Sequence, residues 1–411
     1  MLILSLIKPE IHSAYQFRVS QLLKRWQHTT MSMRGRGRMG MRNSHGGGRF
    51  NDRRQFQPHV PFDMVHCESA FPRVTEEVDD KALSEALVKR NQDLSPSATE
   101  QTAVTALVNK LQTAIDALIV APNTFESAVV EEARAVGSYK KGTMITGHNV
   151  ADVVIILRTL PTREAVIALG QRVLSDIRAA TAETISLVPN DKGFNISNSE
   201  ATVKCLISTI PPNLPKLEPD LHLPTKVMTD HLAAIRHVRW FDENAGHVSI
   251  KVLIRLLKDL KVRYTGMQCL SPWLIDLLAH HAIMSNPSRT PLSINLAFRR
   301  ALALLASGIF LPGSIGILDP CEIGNGRAHV QMPLEQMDLL CCTGQTLTRI
   351  LAHGGYKQIL QLEGVTDVVN TVTQWGSVIV APSQLVYEKA TTTANGESNL
   401  EKVEGQQAIV Y

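Results

Sequence analysis

The chain reads as an α+β protein, a lobe built on a mixed β-sheet followed by an all-α helical lobe. Three observations predict this. The 411 residues, 44% hydrophobic and 19% charged, suffice for two ordinary folded domains and are too apolar for a chain disordered throughout. Residues 97–209 alternate helical spacing with β-branched runs, whereas residues 225–353 carry helical spacing alone. The Pro-rich stretch Pro211 to Pro224 separates the two. On this reading residues 58–224 form the sheet lobe, residues 225–390 form the helical lobe, and residues 1–57 and 391–411 are disordered extensions. No run approaches the ~18 consecutive apolar residues of a membrane span, so no membrane role is expected.

Residues 1–30 start apolar and then turn weakly basic, like an organelle transit peptide, but they lack its Ser and Arg content and a cleavage site, and they read as an upstream extension. From Met33 to Gln57 the chain is Arg/Gly-rich. Arg34, Arg36, Arg38, Arg42, Arg49, Arg53 and Arg54 face a single acid, Asp52, and the segment cannot bury enough apolar surface to offset its ordering entropy. Such an arm suits the phosphates of RNA or DNA, while the rest of the chain is mildly acidic.

Folding is expected to open near Pro58 to Phe62, and the first strong helix is Ser97 to Val120. Ser97 and Glu100 make a capping box, and Val104, Leu107, Val108, Leu111, Ile115 and Leu118 recur at helical spacing. A turn through Gly137-Ser138, Gly142 and Gly147 leads to the β-branched run Val150 to Leu157, a buried strand. A helix from Thr162 to Ala180 follows, then strands Thr184 to Val188 and Ala201 to Thr209 with turn residues Asn190 to Gly193 between them. Helices are expected at Lys226 to Phe241, Val248 to Arg263, Pro272 to Met284, Pro291 to Ser307 and Pro333 to His353, with Gly354-Gly355 closing the last. The six cysteines show no CxxC pair and no zinc-ligand spacing, and read as reduced thiols. Trp240, Trp273 and Trp375 read as core or lobe-contact residues.

The chemistry concentrates in Gly137-Ser138-Tyr139-Lys140-Lys141-Gly142-Thr143, followed by Asp152 at the head of the apolar run. A Gly-Ser turn offers backbone N–H groups and a hydroxyl to phosphate oxygens. With an acid-led strand a dozen residues on, it resembles the nucleotidyltransferase superfamily pattern of Gly-Ser and then Asp-x-Asp or Asp-x-Glu. In-line attack on an α-phosphate uses two metal ions, and carboxylates at i and i+2 of a strand reach the pair from one face. Here the second position is Val154, and Ala201 to Thr209 holds no third acid. Asp152 is then either a residual ligand for Mg-nucleotide or an acid hydrogen-bonded at a strand mouth, and Ser138 either a phosphate contact or a turn serine. Arg255 and Lys258, three apart on one helix, either grip a triphosphate or form a solvated face. Their segment, with Pro272-Trp273-Leu274-Ile275-Asp276, resembles the helical half of oligoadenylate synthetases, whose matching Arg and Lys bind donor triphosphate. Those enzymes have Gln where this chain has Pro272.

A closer match covers residues from Pro61-Phe62-Asp63 to about Lys389. Gly-Ser-Tyr-Lys-Lys-Gly-Thr (137–143), Gly147-His148-Asn149-Val150-Ala151-Asp152, Thr209-Ile210-Pro211-Pro212-Asn213-Leu214, Ala234-Ile235-Arg236-His237 and Phe310-Leu311-Pro312-Gly313-Ser314 resemble the DZF-domain family. The resemblance implies a nucleotidyltransferase-like lobe and a helical lobe, no catalysis, and pairing with a larger DZF paralogue that carries double-stranded RNA-binding domains. It implies a nuclear role in transcription and RNA metabolism, extending to nucleolus and cytoplasm, and RNA and DNA contact partly through the partner. On this reading Gly137, Ser138, Asp152, Arg255 and Lys258 would hold Mg-ATP or another Mg-NTP without turning it over, with Asp152 the metal contact. One member of that family ends in a long acidic run, whereas Thr391 to Tyr411 holds only Glu397, Glu401 and Glu404 against Lys402. The alternatives are an active nucleotidyltransferase with rearranged carboxylates and an RNA-binding scaffold that works through its Arg/Gly arm.

Overall fold

A computed structural model describes residues 80–387 other than 289, 323, 325, 365 and 366. The arginine arm, the opening near Pro58 to Phe62 and the tail 391–411 lie outside the described residues.

Helix α1 (Asp80–Leu94) leads into α2 (Ala98–Val120). The Ser97 side chain accepts from Glu100 N–H and the Glu100 carboxylate accepts from Ser97 N–H, the reciprocal cap its sequence predicts. By length and composition α2 could cross a membrane, but Val104, Leu107, Leu111, Ile115 and Leu118 are buried in the protein core. Strands β1 (Val130–Val136), β2 (Val150–Leu157), β3 (Ser186–Asn190), β4 (Gly193–Ser197) and β5 (Thr202–Thr209) form one sheet in the order β1-β2-β5-β4-β3. Only β2 and β5 run parallel, and helix α4 (Arg163–Ala180) lies in the crossover between them. A short helix α3 (Gly137–Lys141) joins β1 to β2.

The apolar run of β2 is explained by burial on both faces. Ala151, Val153, Ile155 and Leu157 share a core with residues of α2 and α4, while Val154 and Ile156 pack with Val136 and with Val238 of α5 (Thr225–Asn244). Helix α5 was expected to head the helical lobe. Instead its first half lies on the sheet: Ser208 Oγ donates to Met228 O at 3.0 Å and His231 Nδ1 lies 2.7 Å from Ile207 O. Its far end contributes Phe241 to the helical core.

That second core gathers α6 (Val248–Arg263), α7 (Pro272–Met284), α8 (Ile294–Ala306) and α9 (Leu334–Ala352). Helix α1 joins it too, through Leu83 and Leu87, and Arg90 forks onto Asp259 of α6 at 2.8 and 3.3 Å. After the short helix α10 (Tyr356–Ile359), a hairpin of β6 (Thr373–Trp375) and β7 (Val378–Val380) and the turn α11 (Ser383–Tyr387) complete the lobe. The class is the expected α+β, with a small hairpin added to a lobe read as all helix.

Candidate functional site between the lobes

The residues singled out in the sequence converge where α6 meets the turn after β1. Gly137 has φ +67°, and a Cβ built on it would stand 2.4 Å from Asp152 Oδ2, so this position demands glycine twice, once for backbone and once for space. The turn thereby packs Gly137 against the acid and leads directly into Ser138. Lys258 Nζ donates to Ser138 Oγ at 2.7 Å, to Thr143 O at 2.9 Å and to Thr143 Oγ1 at 3.2 Å. Arg255 donates to Gly142 O at 2.7 Å, Met144 O at 3.1 Å and Asn91 Oδ1 at 3.3 Å. Gly137, Ser138, Asp152, Arg255 and Lys258 are therefore brought together, but neither cation forms a solvated face. Both are inter-lobe clamps on residues 138–144.

A second clamp went unread in the sequence. Lys141 Nζ and Asp276 Oδ2 make a buried ion pair at 2.7 Å across the lobes, the side chains 8% and 4% exposed. The ammonium also lies 5.1 Å from the Trp273 ring centroid and 5.5 Å from that of Phe241. Trp273 stacks on His237 at 3.9 Å and meets Trp240 edge-on at 5.4 Å, so these tryptophans are lobe-contact residues. The available signal was helical register: Trp273 and Asp276 lie three apart on α7 and face the same neighbour.

Strand register decides what surrounds Asp152. On β2 it pairs with Val136 of β1 and with Lys204 of β5. Position i+2, Val154, is fully buried against Val136 and Val238. The side of the sheet that would carry a metal pair thus offers one carboxylate, an apolar plug and an ammonium. Burial pushes Asp152 upward, and Lys204, His148, Lys258 and Lys192 oppose that rise. Lys258 is pushed down to about 8, chiefly by burial, with Lys141 and Arg255 adding to the effect against Asp276 and Asp152. Burial also raises Asp276, although Lys141 opposes it, and lowers Arg255. The cleft is a concentration of cations whose charge is only partly met.

Residues 40–246 match the model of the DZF N-terminal domain and residues 249–381 that of the DZF C-terminal domain. The chain belongs to the DZF family. The DZF N-terminal domain ends in the turn between α5 and α6, which groups α5 with the sheet it covers. Among solved structures, the DZF chain is similar to CdnC of E. coli MS115-1 in complex with HORMA-deltaN, at 16% identity and TM-score 0.46 over 70% of this chain and 98% of that one. It is similar to the same CdnC with ATP at 14% identity and TM-score 0.45, over 69% and 98%. Cid1 with its short product ApU follows at 11% identity and TM-score 0.39, over 56% and 74%.

Proposed function

We propose that this DZF chain is a non-catalytic, nucleotidyltransferase-like subunit whose inter-lobe cleft binds the polyphosphate of a nucleotide without transferring it. One observation carries the reading: Lys204 occupies the register position beside Asp152 while Val154 is sealed in the core. Two-metal phosphoryl transfer needs several carboxylates around the ions, and a lysine beside the surviving acid favours an anion instead. The residues present do not fit a metal pair. A single Mg²⁺ that arrives on the phosphates and keeps most of its waters fits Asp152 alone. The alternative of an active enzyme with rearranged carboxylates would need a replacement acid on the same face of β5, and Thr202, Lys204, Leu206 and Ser208 occupy it.

Lost chemistry leaves assembly as the reason to keep two lobes. The family resemblance supports a heterodimer with a larger DZF paralogue bearing double-stranded RNA-binding domains, acting in the nucleus on transcription and RNA metabolism. Ile315, Leu318 and Val330, each more than half exposed in the 307–333 connection, are apolar surface suited to such a partner. The test of the cleft is thermal. Mg-ATP raises the melting temperature in proportion to occupancy, and Lys192→Glu with Lys204→Glu abolishes the rise without touching the Arg255 and Lys258 clamps. No NTP-dependent labelling of RNA or protein is expected. Turnover abolished by Asp152→Ala would overturn the reading.

A further inference from the structure

The connection from α8 to α9, residues 307–333, is unusually long for a segment without helix or strand inside a packed lobe. It doubles back through an isolated bridge between Leu318 and Arg327, with Asp319 N–H donating to Gly326 O at 2.8 Å and Ala328 N–H to Ile317 O at 3.0 Å. At the foot of this turn, Asp319 and Cys321 approach His237 of α5. One ligand atom from each of the three, all partly buried, lies within 4.8 Å of the other two.

Asp319 and His237 are already oriented by Trp273, outside the cluster. Trp273 Nε1 donates to Asp319 Oδ2 at 2.8 Å, and Cys321 N–H donates to Asp319 Oδ1 at 2.9 Å. The His237 ring lies flat on Trp273, 3.9 Å between centroids and 7° between planes. Arg236 of α5 is engaged at the rim by Glu322 at 2.9 Å and by Cys321 O at 3.3 Å. An indole or amide N–H holding a ligating carboxylate is the outer-shell arrangement that fixes metal sites.

We propose that His237, Asp319 and Cys321 form a site for Zn²⁺ that fastens the 307–333 connection to helix α5. Imidazole, carboxylate and thiolate are the three ligand types zinc takes, and three protein ligands leave a fourth tetrahedral position for water. Zinc–ligand bonds of roughly 2.0–2.3 Å bring tetrahedral donors to ~3.5 Å apart, so atoms already within 4.8 Å of one another need to close by little more than about an ångström at most. The sulfur ligand selects against Mg²⁺ and Ca²⁺, which take oxygen donors. Binding replaces the Cys321 S–H bond by S–Zn, and the proton leaves to solvent. The sequence concealed the site because its ligands are a helix residue and a distant loop pair, with no CxxC spacing. The proposal stands apart from the nucleotide reading, since Asp152 and Lys204 take no part in it.

The test uses the full chain freed of metal by a chelator. Titration with Co²⁺ gives one equivalent of a thiolate-to-cobalt charge-transfer band, displaced by Zn²⁺ and accompanied by release of one proton. Cys321→Ser abolishes the band. His237→Phe, which keeps the stack on Trp273, does the same, and Trp273→Phe, which removes the indole N–H to Asp319 and shrinks the ring beneath His237, weakens Co²⁺ binding by about 10–100-fold. A second measurement needs no variant: Zn²⁺ protects Cys321 of the natural chain from alkylation, read by peptide mass spectrometry, and leaves Cys269 labelling unchanged. A natural chain without the charge-transfer band, a band of full intensity in Cys321→Ser, or Cys321 labelling indifferent to Zn²⁺ would each overturn the proposal.

Discussion

Lys141 and Asp276 show how much a single pair can decide at the lobe junction. Each is nearly sealed from solvent, so each depends on the other to offset its desolvation. Asp276→Ala leaves the ammonium uncompensated between Trp273 and Phe241 and should cost roughly 3–5 kcal/mol in denaturant unfolding, whereas Lys141→Met with Asp276→Leu should restore most of that stability. A double variant as unstable as the single one would show that packing, not charge, sets the cost. Lys258 gives a second residue-scale expectation. Its value near 8 means that the free protein loses this charge as pH rises through about 8, while a bound phosphate keeps it protonated. ATP affinity should therefore be flat below that pH and fall above it, by at most about tenfold per unit for one proton. An unchanged affinity from pH 7 to 9 would place the phosphate away from Lys258. The structure brings Gly137, Ser138, Asp152, Arg255 and Lys258 together, and the sequence pointed to them because a Gly-Ser turn, an acid heading an apolar strand and an Arg–Lys pair on one helix are each local patterns. Lys141, Asp276 and Lys204 were not legible, because their importance lies in pairings across 135 residues or across strands, which one-dimensional spacing does not carry.

Elements with strong periodicity were read almost to the residue: β2, α6 and α7 begin and end where the pattern says. The missed ones share a different physics. β1 (Val-Glu-Glu-Ala-Arg-Ala-Val) is an edge strand with one interior neighbour, and its polar middle tolerates solvent. β4 is brief and opens with Gly193, where a Cβ would stand 2.2 Å from Cys205 O. Helix α1 is polar on most sides and is held by Leu83, Leu87 and the Arg90–Asp259 fork, all tertiary features. The start of α2 shows how a local signal acquires a long-range use. Glu100, besides closing its capping box, accepts from Gly147 N–H at 2.7 Å and from Thr146 Oγ1, pinning the turn that precedes β2. The Gly147 and Ser97 backbone donors hold its carboxyl down at about 2, from an ordinary 4.5. A carboxyl lowered on folding stabilises above its ordinary value and forfeits that contribution as pH falls towards the folded one. The decline should thus develop between about pH 4.5 and 2. Glu100→Gln should lower the neutral-pH melting temperature and flatten the melting curve's dependence on pH in that window; an identical acid limb in both proteins would remove Glu100 from the account.

At the scale of the whole molecule, the DZF N-terminal and C-terminal domains are joined by α5 and by the Arg255, Lys258 and Lys141 clamps. The arginine arm lies outside the described residues, and its effect is expected to be electrostatic and independent of sequence. Deleting residues 31–57 should flatten the dependence of RNA binding on salt, by roughly one counterion for each phosphate that the arm neutralises. The partner-binding expectation rests on different surface. On the proposed reading, Val154 and Lys204 stand where a metal pair would need acids, and the two-lobe scaffold serves to present a face that a related DZF domain can read through an equivalent one. The region from about Lys226 to Lys389 is expected to carry that interface, and within it the 307–333 connection offers Ile315, Leu318 and Val330 to solvent. An obligate interface would cover them and be large and apolar. Co-expression with the larger DZF paralogue should yield a stable one-to-one complex, and the chain alone should self-associate. Ile315→Asp with Val330→Asp should weaken the complex by well over tenfold while leaving the melting temperature of the single chain near its natural value, because both positions are exposed. Should the double variant pair as tightly as the natural chain, the interface lies elsewhere on the helical lobe; should the natural chain remain a well-behaved monomer beside its paralogue at micromolar concentration, pairing is not the reason the fold persists.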